Sequence, residues 1–182
     1  MTENSIGVQE YLEAYVPTKV EKQLEEKPVP DMEGTDFTIQ LTITGEKNLV
    51  YGISIKNAKE INVTPGEIDN PVLEVKVSDD FIRPIVDMTS SLTGRKQYDA
   101  VSQAKGTVDF DISMPGDWTL PVSATFNGAA EPSLKISGSS ADLAKIASGE
   151  LNGPMAFMQG KIKMEGDMSF GISLANLMPA SS

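Results

Sequence analysis

Between residues 36 and 56 apolar and polar positions alternate in two successive runs. Phe37, Ile39, Leu41 and Ile43 are separated by Thr38, Gln40, Thr42 and Thr44. Leu49, Tyr51, Ile53 and Ile55 follow with the same period after the polar turn Gly45 to Asn48. A period of two puts every second side chain on one face, so a hairpin with one buried side is expected. Residues 57 to 71, rich in Asn, Pro and Gly, read as a loop, and Leu73, Val75 and Val77 as a third strand. Ser78 is placed to cap a helix carrying Phe81, Ile82, Ile85 and Val86, with Pro84 in its early turns. Past a polar connector, Thr93 to Ser102, the pattern restarts. Val108, Phe110, Ile112 and Met114 alternate, Met114-Pro115-Gly116-Asp117 turns, and Trp118, Leu120, Val122, Ala124 and Phe126 alternate again. Leu134 and Ile136 make another strand, and Ser139 is placed to cap a helix with Leu143, Ala144, Ile146 and Ala147.

The two ends of the chain are helical in pattern. Val8, Leu12, Val16, Val20 and Leu24 recur every four residues, with Pro17 interrupting and Thr18 and Glu21 forming a capping-box signature after it. The expectation is two short helices or one kinked helix between Val8 and Lys27, ended by Pro28, Pro30 and Gly34. Residues 154 to 178 read as a short lead-in, a strand from Gln159 to Glu165, a Gly166-Asp167 turn and a closing helix capped by Asp167 or Ser169. In the strand, Ile162 and Met164 share one face, and Lys161 and Lys163 the solvent face. In the helix, Ser169, Ser173 and Asn176 form a narrow polar stripe, while Met168, Phe170, Ile172, Leu174, Leu177 and Met178 cover most of the rest. Such a helix is either ordinary core, buried on several sides, or the wall of a greasy cavity.

The halves also match each other. Phe37 and Val108, Ile39 and Phe110, Tyr51 and Val122, and Ile55 and Phe126 are each 71 apart. Pro71 and Pro132, Leu73 and Leu134, Ile82 and Leu143, and Ile85 and Ile146 are each 61 apart, the difference being taken up by a longer loop in the first half. A strand, strand, strand, helix unit therefore occurs twice. The expected organisation is an N-terminal helical segment (1–35), a first, incomplete unit (36–103) and a second unit with the C-terminal helix (104–182). Residues 106–113 could close the first unit or open the second; one strand serving both would make the halves a single body.

Ala156, Phe157, Gly160, Lys161, Ile162, Lys163, Gly166, Asp167 and Met168 fit a strand-to-helix run of the form A-F-x-x-G-K-[IL]-K-x-x-G-[DN]-M. With LKISGSSADLAKIASGELNG upstream, residues 106 to 178 resemble the sterol carrier protein 2 family of lipid-binding domains. More weakly, VQEYLEAYVP and residues 36 to 94 resemble the leading helix and strand order of a bacterial member. The first half carries only a blurred motif, with Tyr98 near the place of Phe157 and Lys105-Gly106 inverted relative to Gly160-Lys161, so one C-terminal site is expected rather than two. The resemblance implies an α+β fold with a mainly antiparallel sheet and helices on one face enclosing an apolar cavity. It further implies non-catalytic binding or transfer of a fatty acid, fatty acyl-CoA, sterol-like or isoprenoid lipid. The lining residues expected on that basis are Trp118, Phe126, Phe157, Ile162, Met164, Met168, Ile172 and Leu177.

Composition narrows the chemistry. The net charge of −11, with a pI near 4.4, argues against nucleic acid, whose phosphates need clustered Lys and Arg. With neither histidine nor cysteine, the commonest general base, thiolate nucleophiles and zinc ligands are missing, so neither an enzyme nor a cofactor or metal is expected. Asp109-Phe110-Asp111-Ile112-Ser113 opens like a calcium loop but has Met114 at position six and Leu120 at position twelve. Five of the nine methionines (Met155, Met158, Met164, Met168 and Met178) fall in the closing segment, and a Met-rich wall adapts to ligands of varied shape. With no signal peptide pattern and no apolar run of membrane-spanning length, a cytoplasmic protein is expected, in at most transient contact with membranes. The chain ends Ala180-Ser181-Ser182 rather than in a peroxisomal tripeptide. The competing reading is a protein-interaction module with a filled core and no lipid.

Overall fold

In the computed structural model, residues 6–83, 86 and 94–175 are described. Eight strands form one sheet: β1 (Asp36–Thr44), β2 (Leu49–Lys56), β3 (Glu60–Pro65), β4 (Leu73–Ser78), β5 (Gly106–Met114), β6 (Trp118–Phe126), β7 (Ser133–Ser139) and β8 (Ile162–Gly166). Their order across the sheet is β3-β2-β1-β4-β6-β5-β7-β8. Only the β1–β4 and β5–β7 pairings are parallel; the other five are antiparallel. The fold is thus α+β on a mainly antiparallel sheet. Alternation makes it two-faced: Leu41, Ile43, Tyr51, Ile53, Val75 and Val77 are buried on one side, while threonines, serines and charges face the other. On that polar face Lys135 Nζ lies 2.8 Å from Asp111 Oδ2.

The sheet joins the halves differently from the sequence expectation. Strand β5 pairs with β6 and β7, not with the first half. The strand common to both is β6, which pairs with β5 on one edge and with β4 on the other, Leu73 opposite Phe126 and Val75 opposite Ala124. In the second half β8 holds the corresponding place beside β7, with Leu134 opposite Gly166 and Ile136 opposite Met164. Residues 57 to 71 are not simply a loop: Glu60–Pro65 form β3 beside β2, and β3 is what the extra ten residues of the first half build.

The register also shifts the first-strand match. Leu41 lies opposite Tyr51 and Val75, and Phe110 lies opposite Val122 and Ile136, so Leu41, not Ile39, is the counterpart of Phe110. A period-two pattern looks the same after a shift of two, which is why alternation alone mistook the offset.

The helices follow the apolar side of the sheet. Val8–Glu10, a π-helical turn Tyr11–Tyr15 and Val16–Glu26 run on as one helix, α1. Pro17 has no N–H to give, and the wide turn before it absorbs the missing bond without a break. Thr18 does not cap; its hydroxyl donates to Ala14 O inside the helix. Tyr11, Leu12 and Val16 are buried in the main core with Leu41, Tyr51 and Val75.

After β4 the chain turns through Asp79–Phe81, with Ser78 at the N-cap position but making no capping bond. Ile85 lies outside the described residues. The expected connector contains a helix instead, α2 (Arg95–Gln103). It lies where β1 begins and β6 ends: Asp36 N–H donates to Tyr98 Oη at 3.3 Å, and Asn127 Nδ2 donates to Val101, Ser102 and Ala104 carbonyls. Helices α3 (Ser140–Ser148), α4 (Gly153–Met158) and α5 (Met168–Ala175) complete the chain. Ser139 caps α3 as expected, accepting from Asp142 N–H at 3.1 Å. The lead-in at 154–158 is the helix α4, whose single turn and a half was too short to show a period, and β8 begins only after it.

Candidate functional site

Two equivalent rows of side chains cross the apolar face, one in each half. In the first, Tyr51, Leu41, Val75 and Ala124 lie side by side on β2, β1, β4 and β6. In the second, Val122, Phe110, Ile136 and Met164 lie side by side on β6, β5, β7 and β8. Tyr51, Leu41 and Val75 are buried, at 2%, 3% and 7% exposure. Phe110, Ile136 and Met164 are only half-buried.

The difference lies in what covers them. Helix α1 packs on the first half, and Tyr51 Oη donates to Glu13 Oε1 at 2.9 Å. Burial and the Glu13 carboxylate together push the Tyr51 phenol up to about 12. The segment leading into β5 is α2, which sits at the end of the sheet, so among the described residues the second half has no counterpart of α1. Its middle row is instead flanked by two separate apolar clusters. On one side Ile112, Leu120 and Ile162 join the main core under Leu143 and Ile146 of α3. On the other, Val108 and Leu134 pack with Phe170 of α5. Phe110, Ile136 and Met164 touch both clusters, forming a half-buried apolar floor between α3 and α5.

Local chemistry fixes the elements that border this floor. Asn152 Oδ1 accepts from Met155 N–H and starts α4. Gly160, at φ +72°, ends it in the left-handed conformation. Gly166, at φ +118°, leaves β8 where a Cβ would stand 2.5 Å from Ser133 O. Asp167 Oδ1 then accepts from Phe170 N–H at 2.9 Å and caps α5. Gly171 lets α5 lie against the sheet, its Cβ position 3.2 Å from Leu134 Cδ2 and 3.5 Å from Met164 Cε. Phe170 meets Phe126 edge-on, centroids 6.4 Å apart.

The expected lining residues are therefore only partly brought together. Met164 is on the floor, Ile162 is buried beside it, and Phe126 stands at the margin with Phe170. Trp118 is 45% exposed at the other end of β6, roughly 27 Å along the strand from Phe126. Phe157, Met168 and Ile172 are exposed, and Leu177 falls outside the described residues. Helix α5 is thus neither buried on several sides nor wholly a wall: Phe170 and Leu174 pack inward while Met168 and Ile172 face solvent. Phe110 and Ile136 complete the floor. Their alternation was visible in the sequence, but which buried-face residues lack a covering helix depends on α1, far away in the chain.

Among the described residues, those named on this floor and its flanks are aliphatic, aromatic and thioether groups. No cluster of metal-ligating side chains occurs among the described residues. Two open concavities of about 370 and 380 Å³ lie elsewhere, one between Lys27, Pro28, Pro30 and Arg95, the other along Tyr15, Lys19, Lys22 and Glu26. Neither is the apolar cavity expected between sheet and helices. Among the described residues, no helix is long and apolar enough to cross a membrane.

Residues 89–179 match the model of the SCP-2 sterol transfer family. A Danio rerio protein named hydroxysteroid dehydrogenase-like protein 2 is 31% identical over 103 residues, covering 52% of this chain and 25% of that protein. The Bos taurus protein of the same name is 35% identical over 88 residues, covering 44% and 21%. The chain spans about a quarter of the length of the curated relatives it matches. Among solved structures, sterol carrier protein domain 2 of Helicoverpa armigera is 27% identical, with 43% of this chain and 70% of that one covered and a TM-score of 0.37. The sterol carrier protein 2 like 2 of Aedes aegypti covers 94% of this chain and is itself covered in full, at 14% identity and a TM-score of 0.27.

Proposed function

The chain belongs to the SCP-2 sterol transfer family, and from that premise we propose that it binds a lipid in an apolar groove over the half-buried floor of its second half and carries it without covalent chemistry. The observation that supports this reading is the unequal cover of two equivalent rows. What α1 does for Tyr51, Leu41 and Val75, an apolar ligand does for Phe110, Ile136 and Met164. An acyl chain or ring system laid over them removes their exposed area from water, at roughly 25 cal/mol per Å². Met164, unbranched and polarizable, adapts the floor to ligands of different outline. Fatty acids, fatty acyl-CoAs, sterol-like molecules and isoprenoids all present the apolar surface this floor needs.

The test is native mass spectrometry of the purified chain, then organic extraction to identify anything it carries, repeated on Ile136→Trp, which fills the groove. Stoichiometric lipid in the parent and none in a folded Ile136→Trp variant is the expected result. An empty protein that takes up no fatty acid, acyl-CoA or polycyclic lipid sinks the proposal. It would favour the second reading, an interaction module, for which the exposed Met155, Phe157, Met158 and Ile172 side chains speak.

A further inference from the structure

Helix α4 carries three of the exposed large apolar side chains of the described residues, including the most exposed of them. Met158 is 84% exposed, Met155 53% and Phe157 39%, and Ile172 on the adjoining α5 is 59% exposed. Their exposure is built in. Ala156, the one inward residue of α4, is fully buried, so the helix is seated by a methyl group and its three large apolar groups are held outward. The Asn152 cap and the Gly160 turn fix both ends of α4. Burying side chains of this size would stabilise the protein; leaving them in water is costly unless something covers them.

Charge says what kind of surface that is. The chain carries −11 overall, yet residues 151–164 contain no acidic residue and two lysines, and after Glu165 and Asp167 residues 168–182 contain no charged side chain. Lys161 follows α4 after Gln159 and Gly160, with its N–H donating to Ala156 O and its side chain exposed. Exposed apolar groups beside a lysine, in an acid-free stretch of an acidic protein, make an interfacial anchor: the apolar groups enter the acyl boundary, Lys161 reaches the phosphates, and the acidic remainder stays in water.

We infer that the α4 tip, with Ile172 of α5, docks the protein onto a phospholipid bilayer. This rests on the lipid-carrier reading, because docking here would present the adjoining groove to the lipids of that bilayer.

The test is sedimentation of the full chain with phosphatidylcholine vesicles and with vesicles of mixed phosphatidylcholine and phosphatidylglycerol. Partition onto vesicles is expected for the parent and for Ile136→Trp. In Met158→Asp and Met155→Asp it should fall by about tenfold or more, with melting unchanged for Met158→Asp because that side chain is already in water. Binding of a fluorescent fatty acid without vesicles reads the groove separately: Ile136→Trp should lose it and Met158→Asp keep it. A parent that does not sediment, or aspartate variants that sediment like the parent, overturns the docking while leaving the groove standing. So does a concentration-dependent dimer in light scattering that Met158→Asp abolishes, because the patch would then be covered by a second copy.

Discussion

Replacing Phe170 by alanine tests how the C-terminal helix is held. Phe170 is 7% exposed and packs with Val108 and Leu134 in a cluster separate from the main core, with its ring edge-on to Phe126. A buried Phe→Ala change costs about 3–5 kcal/mol. The lower end applies here, about 3 kcal/mol, because half-buried Phe126 and Leu174 stand ready to relax into the space. Because the cluster is separate, the loss should be local, opening α5 from the sheet before the rest of the protein unfolds. Native-state hydrogen exchange reads this directly. Amides of α5 should lose protection by about 100-fold, the equivalent of 3 kcal/mol, while those of β1 and β2 stay as they were. Phe170→Leu should recover most of the protection. Uniform loss across the sheet, or no loss in α5, would refute the reasoning.

Three other outcomes follow from single side chains. Gly106 sits at φ +139° with its Cβ position 2.5 Å from Pro132 O and 2.6 Å from Phe170 Cζ, so Gly106→Ala should cost about 3 kcal/mol in denaturant titration. Ser139 caps α3 whereas Ser78, its counterpart, has a buried hydroxyl with no partner among the described residues. Ser139→Ala should therefore cost about 1 kcal/mol and Ser78→Ala close to nothing. The Tyr51 phenol is raised from 10.0 to about 12 in the folded protein. The unfolded chain therefore loses its proton first, and stability present below pH 10 should drain by roughly 2 kcal/mol as the pH rises towards 12. Melting of the parent against Tyr51→Phe across that window isolates the term, since the variant lacks it.

What the chain revealed in advance, and what it hid, divides along physical lines. The strands with one buried face announced themselves, because burial imposes a period on any strand half in water. The Ser139 and Asp167 caps were visible for a similar reason, each serving groups within three residues. Strand β3 was hidden by its surroundings: only Ile61 and Val63 alternate there, between turns full of Asn, Pro and Gly. Helix α4 was too short to display a period. The π-turn that lets α1 pass Pro17 has no composition of its own. The half-buried floor of the second half was the hardest to see. Phe110 and Leu41 carry the same signal, and only the placement of α1, settled by contacts across more than thirty residues of chain, leaves one covered and the other open.

The double duty of β6 makes the two halves unequal debtors. Everything that flanks β7 comes from its own half, whereas β4 completes its outer edge only by taking a strand that the chain supplies some forty residues later. Until β6 is in place, the first half ends in an open edge with Leu73 and Val75 beside it, the kind of edge that recruits strangers. Assembly of this molecule should therefore run backwards relative to its order along the chain. The pairing of β5, β6, β7 and β8 needs no strand of the first half, and the N-terminal half would then close onto a template that the C-terminal half provides.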